Sequence, residues 1–142
     1  MKKKYFSYRE AQELINSIRE DAKTLININK LLTALKTIQI HHEDPYKKKL
    51  YEIEFNKDFR RVAHHFYFLI ERLQKKGCII DDIEKGYFDI YSNIHDEDIV
   101  FCWQIQEENI NGWHSPEDNY NSRKSISTIK PLLDKVEEKE LI

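Results

Sequence analysis

Apolar residues recur at steps of three and four from Ala11 to Leu35, and neither glycine nor proline breaks the run before Pro45. That spacing puts Leu14, Ile15, Ile18, Ala22, Leu25, Ile28 and Leu32 on one face of a helix. A chain of 142 residues with 3 glycines and 3 prolines is short of breakers, which favours long helices over a many-stranded sandwich. Ser7-Tyr8-Arg9-Glu10 reads as a capping box, with Phe6 and Ala11 placed for a hydrophobic staple. Helix one is therefore expected from Tyr8 to about Ile40.

His41-His42-Glu43 forms the expected bend, and Asp44-Pro45 restarts a helix with an N-cap acceptor and a first-turn proline. Tyr51, Phe55, Phe59, Val62, Phe66, Leu69 and Leu73 make a second apolar stripe. Lys75 and Lys76 suit the negative end of the helix dipole, and Gly77 suits a left-handed C-cap. Asn56-Lys57-Asp58 is a candidate interruption, with Asn56 as a second cap. Residues 5–76 thus read as an antiparallel helical hairpin with arms of roughly 45–50 Å. Two such helices cannot bury their stripes against each other alone. The cover must come from the rest of the chain or from a second copy, and a homodimer with a four-helix arrangement is the simplest solution.

From residue 77 the period changes. Cys78-Ile79-Ile80 is a short apolar run, followed by an acidic turn from Asp81 to Gly86. Tyr87–Tyr91 and Ile99–Ile105 read as strands by their β-branched and aromatic content, with Ser92–Asp98 as a polar loop between them. Ile110–His114 is a third strand, reached through Glu107-Glu108-Asn109, and Ser115–Arg123 is a polar loop. Residues 127–142 form a last helix opened near Pro131, with Leu132, Leu133, Val136 and Leu141 as its apolar residues and a frayed tail from Glu137 to Glu140. The expected fold is α+β and one domain spanning 1–142: the hairpin, a β-rich segment over 77–126 with about three antiparallel strands, and a short C-terminal helix or tail.

Charge narrows the function. A net charge of −2 and a pI of about 6.3 offer neither a basic footprint for nucleic acid nor the acidity of a disordered chain. Lys2–Lys4, Lys47–Lys49 and Arg60-Arg61 are interleaved with acids and read as solvated faces. Cys78 and Cys102 form neither a disulfide framework nor a metal-type pair, as expected of free thiols in a reducing compartment. With no signal-peptide run and no stretch of about 18 apolar residues, the expectation is a soluble cytoplasmic protein without a membrane partner. His41-His42 and His64-His65 are adjacent pairs, which point roughly 100° apart on a helix and cannot chelate one ion from a single face.

The informative residues run in order through the β segment: Gly86-Tyr87-Phe88-Asp89, Val100-Phe101-Cys102-Trp103, Glu107, Ile110, Trp113-His114 and Arg123. This order, with the opening Phe6-Ser7-Tyr8-Arg9-Glu10-Ala11, resembles the "domain of unknown function 2203" family of bacteria and archaea over residues 5–126. The chain departs from the family pattern at Gln106, at Asn119 and Ser122 where the pattern has glycines, and at Ile90 where it has an aromatic. The resemblance implies a fold and a candidate site on the β segment, and no particular activity.

Asp89, Glu107, His114 and Arg123 are the candidate site. Two carboxylates and an imidazole can hold a divalent metal or share acid–base work, and an arginine fork can grip a carboxylate or phosphate. The same four residues can equally pair with one another and tie the β segment together. Asp89, Glu107 and His114 are the candidate metal ligands, although no Glu-x-x-His spacing supports them. Trp103 and Trp113 can frame a ligand or simply pack, and packing is the commoner use of paired indoles. Cys102 reads as a packed thiol, or as a nucleophile if His114 acts as its base. Two readings follow. One is a homo-oligomeric interaction or small-ligand-binding protein of unknown ligand, assembled through the hairpin. The other is a metal-dependent or acid–base enzyme using the four polar residues.

Overall fold

The computed structural model describes residues 3–140, with side chains from 3 to 135. Two long helices, α1 (Tyr8–Leu35) and α2 (Pro45–Lys76), lead into five strands and a C-terminal helix, α3 (Lys130–Glu140). The strands are β1 (Cys78–Asp82), β2 (Tyr87–Ile94), β3 (Glu97–Gln104), β4 (Gly112–His114) and β5 (Lys124–Ser125). They form one antiparallel sheet in chain order, each strand beside its sequence neighbour. The α+β architecture expected from the sequence is the one found, with five strands in place of three.

Both helix starts form as the sequence chemistry dictates. The Ser7 hydroxyl accepts from Glu10 N at 3.1 Å and the Glu10 carboxylate accepts from Ser7 N at 3.0 Å, closing the capping box. Asp44 caps α2 by accepting from Tyr46 N at 3.0 Å, with Pro45 at the first helical position. α2 runs unbroken through Asn56-Lys57-Asp58 and ends at Gly77, whose φ of 101° is the left-handed cap. A Cβ at Gly77 would lie 2.5 Å from the Phe6 ring, so this glycine answers to packing as well as to backbone conformation.

α1 stops at Leu35, five residues short of the expected Ile40. Its last turn tightens, with Thr37 N and Thr37 Oγ1 both donating to the Ala34 carbonyl and Ile38 N to Leu35. Ile38 lies 51% exposed, so no packing continues the helix past that point.

One core joins α1 to the inner face of the sheet. Ala11, Ile15, Ile18 and Leu25 from α1 meet Phe88, Ile90, Phe101 and Trp103, all fully buried. Each such large side chain contributes about 1.5–3 kcal/mol by leaving water. Tyr8 meets Phe101 edge-on at 5.7 Å and donates through its hydroxyl to the Ile110 carbonyl at 2.9 Å. Leu69 and Leu73 are the buried contribution of α2, with Phe66 and Ile70 packed at its edge, next to an Arg72–Asp21 ion pair at 3.3 Å that ties the arms. Farther out the arms have only each other: Tyr46, Leu50, Tyr51 and Ile53 on α2 are 45–71% exposed.

The Ser92–Asp98 loop is a tight hairpin instead. Strands β2 and β3 extend to Ile94 and Glu97, leaving His95 and Asp96 as the turn, both at positive φ (51° and 64°). Ser92 and Ile94 are buried, and Asn93 donates to Asp98 across the strands at 2.9 Å, so these polar positions belong to the ladder. β5 is a strand the sequence did not suggest. Leu132 is partly exposed and Leu133 is buried on α3, while the expected roles of Val136, Leu141 and the tail from Glu137 to Glu140 fall outside the described side chains.

Candidate functional site

Alternation along the strands decides which predicted residues can meet. In β2, Phe88 and Ile90 face the helices, so Tyr87, Asp89 and Tyr91 face the opposite, outer side. Register carries this across the sheet: Asp89 opposes Cys102, Cys102 opposes Gly112, and Val100 opposes His114. Asp89, Cys102, Gly112 and His114 therefore share the outer face. Trp103 and Trp113 lie on the inner, helix-packed face and do not frame these residues. Trp103 Nε1 donates to the Glu107 carbonyl at 2.8 Å and Trp113 Nε1 to the Thr128 hydroxyl at 2.9 Å.

The four polar candidates sort into two pairs. Arg123 and Glu107 form a fork, Nη1 to Oε1 at 2.9 Å and Nη2 to Oε2 at 3.0 Å. Glu107 also accepts from Gln104 N at 2.9 Å and Asn111 Nδ2 at 3.0 Å. Burial works against its charge, yet the Arg123, Gln104 and Asn111 hydrogen bonds outweigh that and hold the carboxyl below the ordinary glutamate range. The guanidinium lies over the Tyr120 ring at 4.6 Å, and Tyr120 stacks on Tyr87 with ring centres 3.6 Å apart.

The second pair is Asp89 and His114, with Oδ1 and Nε2 3.5 Å apart. His114 is 2% exposed, and its Nδ1 donates to the Ser115 carbonyl at 2.8 Å, since a carbonyl can only accept. Burial pushes the Asp89 carboxyl up to about 6, opposed by the His114 interaction and reinforced by Asp81.

Cys102 sits between the pairs, fully buried, with Asp89, Glu107 and Arg123 all acting on its thiol. Burial pushes that thiol up to about 11, with Arg123 pulling it down by less, which is the environment of a packed thiol and not of an activated nucleophile. Among the described residues no three His, Cys, Asp or Glu side chains converge as a metal site. Glu107, one of the expected ligands, is engaged by Arg123 instead.

Three contributors were given no site role by the sequence reading. Gly112 is buried where a Cβ would lie 2.7 Å from Arg123 Cδ, so its missing side chain is the path of the arginine stem. Tyr87 and Tyr120 supply the stack beneath the guanidinium. The position of Tyr87, two residues before Asp89 in a strand, was the available signal for its sharing that face.

On the helix side, Arg19, Lys23, Ile26 and Asn27 of α1 face Ile105, Gln106 and Glu108 across a cleft of about 530 Å³. Arg19 braces its wall, donating to the Glu107 and Glu108 carbonyls at 3.2 and 2.9 Å over the Trp103 ring. The Glu107–Arg123 fork fixes the turn that forms the other wall. At the distal bend, His42 Nδ1 accepts from Asp44 N at 3.0 Å, so that histidine shapes the turn. No helix among the described residues is long and apolar enough to cross a membrane.

The family model described as "Uncharacterized conserved protein (DUF2203)" matches residues 4–126, from the segment before α1 through the last strand. No curated protein and no solved structure matches the chain.

Proposed function

The chain belongs to the DUF2203 family, and we propose that it is a cytoplasmic interaction protein that pairs with a second copy of itself through the distal half of the hairpin. The supporting observation is the exposure of α2, where Leu69 and Leu73 are the buried residues of a 32-residue helix while Tyr46, Leu50 and Ile53 stand open at helical spacing. Covering such side chains would contribute about 1.5–3 kcal/mol each. Lys47–Lys49 precede Leu50 and Glu52 and Glu54 follow it, so two antiparallel copies of α2 set lysine against glutamate.

Light scattering tests this directly. The expected mass is twice the 17.2 kDa of the chain, falling to a single chain in the double variant Leu50→Glu/Ile53→Glu with helix content retained. A monomer at the highest soluble concentration would remove the reading.

Small-ligand binding is a second reading, favoured by the cleft between α1 and the β3–β4 turn, whose volume falls in the ~300–1,000 Å³ range of ligand sites. Its apolar floor of Ile26 and Ile105 beside Lys23 suits a small anion with an apolar body. The acid–base or metal-dependent enzyme has less support, because Glu107 and Arg123 are engaged with each other and, among the described residues, no third ligand joins Asp89 and His114.

A further inference from the structure

We infer that the cleft between α1 and the β3–β4 turn binds an α-amino acid with a branched or aromatic side chain, its two charges divided between the two walls. The inference rests on the small-ligand reading of this cleft and adds a second charge to the ligand.

The helix wall carries the cation. Lys23, Ile26 and Asn27 stand three and four positions apart, so they share one strip of α1 with about 5–6 Å between neighbouring Cβ atoms. Arg19, one turn earlier, is committed: its head donates to the Asn16 side chain and to the Glu107 and Glu108 carbonyls, over the Trp103 ring. Lys23 has an ion pair with Glu20 at 3.7 Å, and that carboxylate is 87% exposed, so water weakens the pair. Lys23 is therefore the cation that a carboxylate can recruit, with the Asn27 amide beside it as a donor.

The opposite wall carries the acid. Glu108 is placed by its own carbonyl, which accepts from Arg19 Nη2 at 2.9 Å and from Gln12 Nε2 at 3.3 Å. Among the described residues its carboxylate has neither an ion-pair nor a hydrogen-bond partner, and the side-chain amide of Gln106 has none. Lys23 and Glu108 line the same cleft and do not pair with each other. A simple anion would suit the helix wall and meet a like charge at the turn. An ammonium on the neighbouring carbon replaces that repulsion with a charge-assisted hydrogen bond to Glu108.

The floor between the walls is apolar and fixed. Ile105 N donates to the Gly86 carbonyl at 2.9 Å. A Cβ on Gly86 would lie 2.6 Å from Ile105 Cγ2 and 3.4 Å from Ile26 Cδ1, so both isoleucines pack down on bare backbone. The cleft of about 530 Å³ has room over them for a branched or aromatic side chain.

Amide NMR of the isotope-labelled protein tests this with three probes: L-leucine, isocaproate, which lacks its ammonium, and isopentylamine, which lacks its carboxylate. Leucine should shift the amides of Ile26, Asn27, Ile105 and Gln106 and bind about tenfold more tightly than either analogue, the contribution of one charge-assisted hydrogen bond. Glu108→Gln should weaken leucine about tenfold without weakening isocaproate, whereas Lys23→Gln should weaken both. Both side chains are exposed, so the variants keep the fold and the same spectra show it. Equal binding of leucine and isocaproate, or leucine binding indifferent to Glu108→Gln, overturns the amino-acid proposal and leaves the small-ligand reading standing. Failure of all three probes to shift these amides at millimolar concentration overturns the proposal together with that reading.

Discussion

Arg123 reaches Glu107 only because Gly112 has no side chain: a Cβ there would lie 2.7 Å from Arg123 Cδ and 2.8 Å from Nε. The stem lies across a buried glycine, and the planar head closes a two-bond fork on the carboxylate that organises the β3–β4 turn.

Arg123→Ala should destabilise the protein by about 3 kcal/mol, because it leaves a partly buried carboxylate without its cation. Arg123→Lys should recover part of that loss, since an ammonium keeps the charge and loses the fork. Urea unfolding of the three proteins checks both the size and the order.

Gly112→Ala should cost about 1–3 kcal/mol by forcing the arginine stem aside. The same substitution in an Arg123→Ala background should cost markedly less, because the clash is gone. A double-mutant cycle reads this coupling directly, and additive costs would show that Gly112 answers to some other constraint.

Stability should respond to pH in opposite senses at the two carboxylates. The Glu107 carboxyl is lowered on folding, so its contribution is present above the ordinary glutamate value of 4.5 and is lost as pH falls through its folded value. The Asp89 carboxyl is raised, so its contribution is present below 3.8 and is lost as pH rises through about 6. Thermal melts across this range should show a shallower acid limb in Glu107→Gln and a flatter profile near 6 in Asp89→Asn.

His95 and Asp96 both adopt the left-handed conformation in the β2–β3 turn. Replacing them with Asn-Gly, the pair that such a turn prefers, should stabilise the hairpin by about 1 kcal/mol. A change of sign in the melting shift would mean that the native pair makes a contact of its own.

The helices were legible because their signals are local. Ser7 with Glu10, Asp44 with Pro45, and Gly77 each act within a few residues, and the caps form where the sequence places them. The end of α1 was not legible, since apolar spacing continues past Leu35 and only the lack of a packing partner stops the helix. The short loop between β2 and β3 was hidden by its chemistry: Ser92, Asn93 and Asp98 look like loop residues until the opposite strand pairs them. The candidate site was legible as a set of residue types and not as a set of partners. Strand period places Asp89 away from Trp103 only once the register is known, and the Arg123–Glu107 pairing depends on a glycine eleven positions before the arginine.

The sheet that covers α1 is made from residues 78–125, while the face it covers begins at Ala11. During synthesis the hairpin therefore emerges complete with Ile15, Ile18 and Leu25 still uncovered, and waits for Phe88, Phe101 and Trp103 to follow. The ties that seal this join, Phe6 N to the Tyr91 carbonyl at 2.9 Å and Ile110 N to Gln12 Oε1 at 3.0 Å, come late in the chain. A nascent chain stalled near residue 76 therefore exposes an adhesive apolar face that stays open until β2 and β3 arrive to cover it.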